Sequence, residues 1–339
     1  VLAVGDDLRP ERLLTPETVT VATYFMRPLR RFLAARGVDA SRVLPAGLPE
    51  AEGRIELEAA AGVWRAAAAA VEDPLVGLRV ARELVPGDFG ALEYAVRSSP
   101  TLRAAFERVS RYHGLLNDRS RVMLSESSGE VCIRYLRPGI EARMPPPYIE
   151  FVLGSWMNIC LQLGDTPRMP SRVLLPHPAP TDTSLHRAVF GEGVRFGSEE
   201  AELYFSAGVL DAPLPRGDAS LASVLDRHVE QLLLQARATR PWSTRVGEDV
   251  ARQLADGTPR LGQVAARLGV SPRALRRRLE KEGTTFARVV DELRRGLALE
   301  LTRNPGVSLG EVAFLLGFSE PSAFHRAFRR WTGRTPRGG

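Results

Sequence analysis

Apolar residues return every three or four positions through Val19–Arg36, Leu57–Ala70 and Thr101–Leu116, each bounded by Gly, Pro or Ser, and this period predicts a helix in each stretch. The period then falls to two. Val122–Ser125 and Val131–Tyr135 alternate apolar and polar residues on either side of Ser127-Ser128-Gly129-Glu130, the pattern of two strands joined by a turn. A helix over Ile149–Leu163 follows, then short strands near Arg172–Leu175, Ala188–Val189 and Glu202–Phe205. After a proline-containing break at Asp211–Asp218, Ser220–Ala236 reads as a helix with Leu221, Val224, Leu225, Leu232 and Leu233 near one side. That stripe either packs on its own domain or pairs two subunits. Pro241, within Thr239–Thr244, marks a boundary between domains over 1–238 and 239–339.

Beyond the boundary one pattern is written twice. Leu261, Val264, Ala265, Leu268 and Gly269 return 48 positions later as Leu309, Val312, Ala313, Leu316 and Gly317, and Leu275, Arg277 and Leu279 return 49 later as Phe324, Arg326 and Phe328. Each copy reads helix, tight turn, helix, near 260–281 and 308–331. Gly269 and Gly317 end the first helix of each pair by adopting angles that side chains disfavour. Ser271 before Pro272, and Ser319 or Glu320 before Pro321, start the second, since proline at the first helical position sacrifices no intrahelical donor. At about 100° per residue, Leu275 and Leu279 face inward and Arg273 and Arg277 outward, with Arg276 on the flank. In the second copy Phe324 and Phe328 face inward, Ser322 and Arg326 outward, and His325 lies on the flank. A helix from about Phe286 to Thr302 separates the copies by roughly 25 Å at 1.5 Å per residue, so the flanking elements can bring the two second helices about one DNA turn apart. Phe314, Phe318, Phe324, Phe328 and Trp331 are read as core, and Arg294, Arg295, Arg329 and Arg330 as solvated faces or phosphate contacts.

Charge sharpens this picture. Residues 240–339 hold 19 Arg or Lys against 10 Asp or Glu, whereas residues 1–239 hold 27 against 30. A basic C-terminal domain favours a polyanionic partner. The candidate chemistry is otherwise sparse. Cys132 and Cys160 form no CxxC pair, which speaks against a disulfide scaffold, and the five histidines lack any metal-binding spacing, so neither metal nor cofactor is expected. Ser98, Ser99 and His113 lack a nucleophile-elbow context, and Gly87–Gly90 lacks the spacing of a phosphate loop, so an enzyme is not expected. The run IEFVLGSWMNICLQLG is too short for a membrane span, and the N-terminal acids and prolines do not suit a signal peptide; a cytoplasmic protein with no membrane partner is expected. A small-molecule site is sought near Phe89, Tyr94, Tyr112, His113 and Trp156, where aromatic rings accompany polar handles.

The strings VAARLGVSPRALRRRL, DELRRGLALEL and VAFLLGFSEPSAFHRAFRRWTGRTP resemble the DNA-binding domain of the AraC/XylS family of bacterial transcription regulators, over residues 244–336. GDFGALEYAVRSSPTLRAAFERVSRYHGLL and VRFGSEEAELYFSAGVLDAPLP resemble the branch whose N-terminal domain is of the arabinose-binding type. The resemblance implies seven helices in the C-terminal domain and promoter double-stranded DNA as partner. It implies base-reading sets at Arg273, Arg276 and Arg277 and at Ser322, His325 and Arg326, with an N-terminal domain that regulates activation or repression. The expected fold is thus a mixed α+β regulatory domain followed by an all-α domain with two helix-turn-helix units. The expected function is an effector-controlled regulator acting on the transcription machinery, with a homodimer as a further partnership. The alternative is a ligand-independent regulator whose N-terminal domain serves dimerisation or protein binding.

Overall fold

The computed structural model describes residues 20–45, 53–137, 144–165, 167–238, 240–251, 253–254, 257, 259–302 and 307–336. Its Cα positions group into two units, one over Val19–Gln235 and one from Ala236 onward.

In the first unit, β1 (Thr20–Ala22) pairs antiparallel with β2 (Arg54–Glu56), and α1 (Met26–Ala34) lies between them in sequence. The stretch expected to be helical from residue 19 therefore opens as a strand. Thr20 and Val21 are β-branched, and Arg54 fixes the pairing by donating to Thr20 Oγ1, Thr20 O and Asp118 Oδ1 at 2.7, 3.0 and 2.8 Å. Four helices follow: α2 (Leu57–Ala70), α3 (Val76–Arg82), α4 (Gly90–Arg97) and α5 (Leu102–Tyr112). Thr101 caps the last of these by accepting from Ala104 N at 3.1 Å.

β3 (Arg121–Ser127) and β4 (Glu130–Leu136) form the expected hairpin. Ser128 and Gly129, at φ +52° and +76°, make a two-residue turn whose twist suits the strands it joins. β5 (Arg172–Leu175), β6 (Val194–Phe196) and β7 (Ala201–Ser206) complete a sheet in the order β3-β4-β7-β5-β6, antiparallel except for β5 beside β6. That parallel pair explains a second correction. The segment around Ala188–Val189, expected as strand, is α7 (Ser184–Phe190), because parallel neighbours need a crossover and a helix supplies it. α8 (Ala207–Asp211) and α9 (Ala219–Ala238) end the unit's chain.

α6 (Pro146–Leu163) is the central helix, and residues such as Ile149, Phe151, Leu153, Met157 and Cys160 bury most of its circumference. Its crossing with α3 is unusually close: a Cβ on Gly77 would lie 1.8 Å from Pro147 O, and one on Gly154 2.9 Å from Ala81 Cβ. Trp64 of α2 fills the space beside this crossing, its ring 4.8 Å from Phe151 and 5.6 Å from Phe25.

The second unit is helical: α10 (Trp242–Ala251), α11 (Leu261–Arg267), α12 (Pro272–Lys281), α13 (Phe286–Leu301), α14 (Leu309–Leu315) and α15 (Pro321–Thr332). These are six helices among the described residues, against the seven that the resemblance implies; part of the stretch between α10 and α11 lies outside the description. One apolar core joins them, with Leu275 and Leu279 from α12, Phe324 and Phe328 from α15, and Leu293, Leu297 and Leu301 from the intervening α13. Among the described residues no helix is long and apolar enough to cross a membrane.

The α3–α6 crossing predicts opposite outcomes for two glycine substitutions. Gly77→Ala should destabilise the protein by about 1–3 kcal/mol through overpacking. Gly62→Ala in α2, where a Cβ would meet nothing within 4 Å, should stabilise it by about 0.5–1 kcal/mol through helix propensity. Urea unfolding of both variants checks this, and equal stability of the two would contradict the close crossing.

Candidate nucleic-acid interface and ligand cavity

Each helix-turn-helix is assembled by local chemistry. Gly269 and Gly317 adopt φ of +70° and +69° where the first helix of each pair ends. Gly317 is doubly constrained, since a Cβ there would lie 2.3 Å from Leu254 O. Ser271 Oγ accepts from Ala274 N at 3.2 Å with Pro272 opening α12. Ser308 and Glu311 form a reciprocal capping box at the start of α14. Glu320 precedes Pro321 at the start of α15 and accepts a 3.0 Å hydrogen bond from Ser322 Oγ.

With Leu275, Leu279, Phe324 and Phe328 all buried, the opposite faces of α12 and α15 are open to solvent. Arg273, Arg276 and Arg277 are exposed on the first, and Ser322, His325 and Arg326 on the second. None of these four arginines forms an ion pair with a described residue. Other arginines of the unit are tied into the scaffold: Arg267 grips Asp249 through both carboxylate oxygens at 2.8–3.1 Å, and Arg330 meets Asp291 at 2.9 Å. Arg278 lies over the Trp242 ring at 4.0 Å.

Arg294 departs from its expected place. It is buried, with Nε donating to Leu316 O at 2.9 Å and Nη2 to Gly317 O at 3.2 Å, and it covers the Phe318 ring. It thereby satisfies carbonyls left open at the end of α14 and ties the second turn to α13, which removes it from the candidates for phosphate contact. Phe314, expected in the core, is 66% exposed, while Phe318 and Trp331 pack at the core's edge.

The first unit contains a partly open cavity of about 90 Å³ with mostly apolar walls. Phe89, His113 and Trp156 line it, together with Phe25, Leu92, Val109 and Phe151. Tyr94 and Tyr112 do not. Tyr94 stands 48% exposed on α4, and Tyr112 is buried with its hydroxyl 3.4 Å from Asp226 O. His113 apart, the polar part of the lining escaped the sequence reading because its members come from separate elements. Asn117 Nδ2 donates to the Tyr148 hydroxyl at 3.3 Å, which lies 3.4 Å from that of Tyr135, and Glu93 is held by Arg97 at 2.6 Å and by the amides of Gly87 and Phe89. His113 Nε2 pairs with Ser120 Oγ at 2.7 Å, and its Nδ1 is buried without a partner. Burial raises the phenol pKa of both Tyr135 and Tyr148, so these hydroxyls stay neutral donors.

Comparison with known proteins now bears on both units. The family described as the arabinose-binding domain of AraC transcription regulator, N-terminal, matches residues 8–214, and a helix-turn-helix domain family matches residues 264–338. The chain belongs to the AraC family. This AraC regulator is 29% identical over 328 residues to the ornithine utilization regulator of Pseudomonas aeruginosa, covering 95% of this chain and 96% of the relative. It is 30% identical over 275 residues to the HTH-type transcriptional regulator VirS of Mycobacterium tuberculosis, covering 80% of each. The crystal structure of transcriptional regulator CdpR from Pseudomonas aeruginosa, 22% identical, covers 92% of this chain and 96% of that one with a TM-score of 0.47. The AraC regulator thus joins a helix-turn-helix DNA-binding domain to an arabinose-binding-type N-terminal domain.

His113 gives the cavity wall a measurable signature. Burial, with Arg121 adding to it, pushes its pKa down to about 3 from 6.5. Between those values the unfolded chain binds a proton that the folded chain does not, so stability falls as pH drops. The loss attributable to His113 should be about 1.4 kcal/mol per pH unit between about pH 5.5 and 4.5. His113→Gln, which is neutral throughout, should flatten the pH dependence by that amount in denaturant unfolding; an unchanged slope would contradict a neutral buried imidazole.

Proposed function

We propose that α12 and α15 enter adjacent major grooves on one face of promoter double-stranded DNA, and that a small molecule in the N-terminal cavity controls this binding. Arg273, Arg276 and Arg277 read from the first helix, and Ser322, His325 and Arg326 from the second. The observation that carries the reading is the pairing, in both copies, of a buried apolar face with an opposite face on which Arg273, Arg276 and Arg277, and in the second copy Arg326, are exposed and free of carboxylate partners among the described residues. Arginine in the major groove makes bidentate contacts to guanine, and a carboxylate already holding the guanidinium would compete with them.

The effector is a small molecule with an apolar body and one polar end, because the cavity's polar groups gather around His113, Asn117, Tyr135 and Tyr148, the carboxylate of Glu93 being already held by Arg97 and two amides, while the remaining walls are mostly hydrocarbon and aromatic. A sugar, with hydroxyls on every side, suits such walls poorly. The route outward runs through α5. Its Val109 lines the cavity, and its Arg108 and Tyr112 hold Asp226 of α9, Arg108 at 2.9 Å. α9 also exposes Leu221 and Val224, one turn apart at its N-terminal end, an apolar pair that two copies can share. A ligand that shifts α5 therefore biases a dimer whose four helix-turn-helix units meet paired sites and present the regulator to the transcription machinery.

Arg277→Ala and Arg326→Ala should each reduce discrimination between the specific promoter and random duplex by about 1–3 kcal/mol, with the unfolding midpoint unchanged. Anisotropy titrations on both DNAs measure this. Full promoter affinity and specificity in both folded variants would overturn the dual-helix reading, and a broad set of apolar metabolites that leaves DNA affinity unchanged would favour ligand-independent regulation.

A further inference from the structure

On the face of α6 away from the cavity lining, three residues distant in sequence meet. Glu150 projects from α6, His186 from α7, and His177 from the loop that follows β5. His186 Nε2 lies 2.8 Å and His177 Nε2 3.4 Å from Glu150 Oε1, and one donor atom from each residue falls within 4.8 Å of the others. The Phe196 ring walls the cluster, with its centroid 5.6 Å from the His177 ring and 5.0 Å from that of His186. The side chains of His186 and Glu150 are 0% and 2% exposed, and His177, at 10%, is the one nearest solvent.

The hydrogen-bond inventory of this cluster does not close. His177 Nδ1 lies 3.0 Å from Pro178 O, and a carbonyl only accepts, so Nδ1 carries the hydrogen. In the neutral ring, Nε2 then bears a lone pair aimed at a carboxylate oxygen. His177 Nε2, His186 Nδ1 and Glu150 Oε2 are all buried without a hydrogen-bond partner, and no Lys or Arg among the described residues pairs with Glu150. His186 Nε2 donates to Glu150 Oε1 at 2.8 Å, but the His177 lone pair is turned on that same oxygen and Oε2 is left bare, a repulsion that a cation taking the place of the His186 proton would relieve.

We infer that Glu150, His177 and His186 bind a divalent first-row transition metal of the Zn²⁺ type. Two imidazoles and one carboxylate make an N₂O donor set with room for exogenous ligands. Donor atoms around a tetrahedral Zn²⁺ stand about 3.3 Å apart, so His177 and Glu150 already have that separation, and His186 needs to retreat by roughly half an ångström. The carbonyl of Pro178 fixes the His177 tautomer, as the outer partner of a metal-bound imidazole does. The ion would pin α7 and the β5 loop to α6, the helix that supplies Tyr148, Phe151 and Ser155 to the cavity, so occupancy stiffens one wall of the effector site.

The test uses the full chain, stripped with chelator, desalted and titrated with Zn²⁺ by calorimetry. Wild type should take up one equivalent, and saturation at a hundredfold excess over Kd should raise Tm by about 5–10 °C. His177→Gln, a change at the solvent edge that leaves the metal-free fold intact, should weaken Zn²⁺ binding at least tenfold, and Glu150→Gln should do the same. Intense Co²⁺ absorption lost in His177→Gln would support a four-coordinate site made of these residues. Failure of wild type to bind stoichiometric Zn²⁺, or equal affinity in His177→Gln, would overturn the site; the latter would mean adventitious binding elsewhere, and the former a cluster that shares a proton instead.

Discussion

The DNA-binding half depends on one constraint: both helix-turn-helix units draw on a single apolar core, and α13 is its spine. Leu293, Leu297 and Leu301 of that helix are nearly inaccessible and share the core with Leu275 and Leu279 of α12 and with Phe324 and Phe328 of α15. With one face of each outer helix committed to that core, only the far face is left for polar side chains. A 16-residue α13 is about 24 Å long, so the core that folds the domain also sets a spacing between its two outer helices. Arg294 extends the constraint to the backbone, because its bonds to Leu316 O and Gly317 O hold the second turn against the spine. An apolar residue at that position would leave those carbonyls unpaired in a buried place.

What was legible in the sequence was what near neighbours decide. The helix-turn-helix copies could be read because a period of 3.6 fixes which of Leu275, Arg277, Phe324 and Arg326 faces the core, whatever lies beyond. Gly269 and Ser271 act on the residues beside them, and they were readable for the same reason. The misreadings came where a distant segment decides. Thr20–Ala22 is a strand because residues 54–56 pair with it. The Ala188–Val189 region is a helix because it bridges two parallel strands, one of them β6, which the pattern did not reveal. Arg294 looked solvent-facing on its own helix, yet the end of α14 lies over it.

The same distinction governs the N-terminal site. Phe89, His113 and Trp156 share the cavity wall, whereas Tyr94 points to solvent and Tyr112 toward α9, because being aromatic and near in sequence does not fix direction on a helix. Asn117, Tyr135 and Tyr148 come from a loop, a strand and a helix, so only the fold gathers them. Glu150, His177 and His186 carry no recognisable spacing for the same reason. α6 is the element common to both places, with the cavity on one side and the two histidines on another.

The central claim, that one chain presents two reading helices at a fixed spacing, is tested most directly by methylation protection of guanine N7 on a selected binding site. Two protected major-groove segments, centred about 10 base pairs apart on one face of the duplex, are predicted for each chain bound. Protection of a single segment per chain, with the second groove as reactive as free DNA, would contradict it.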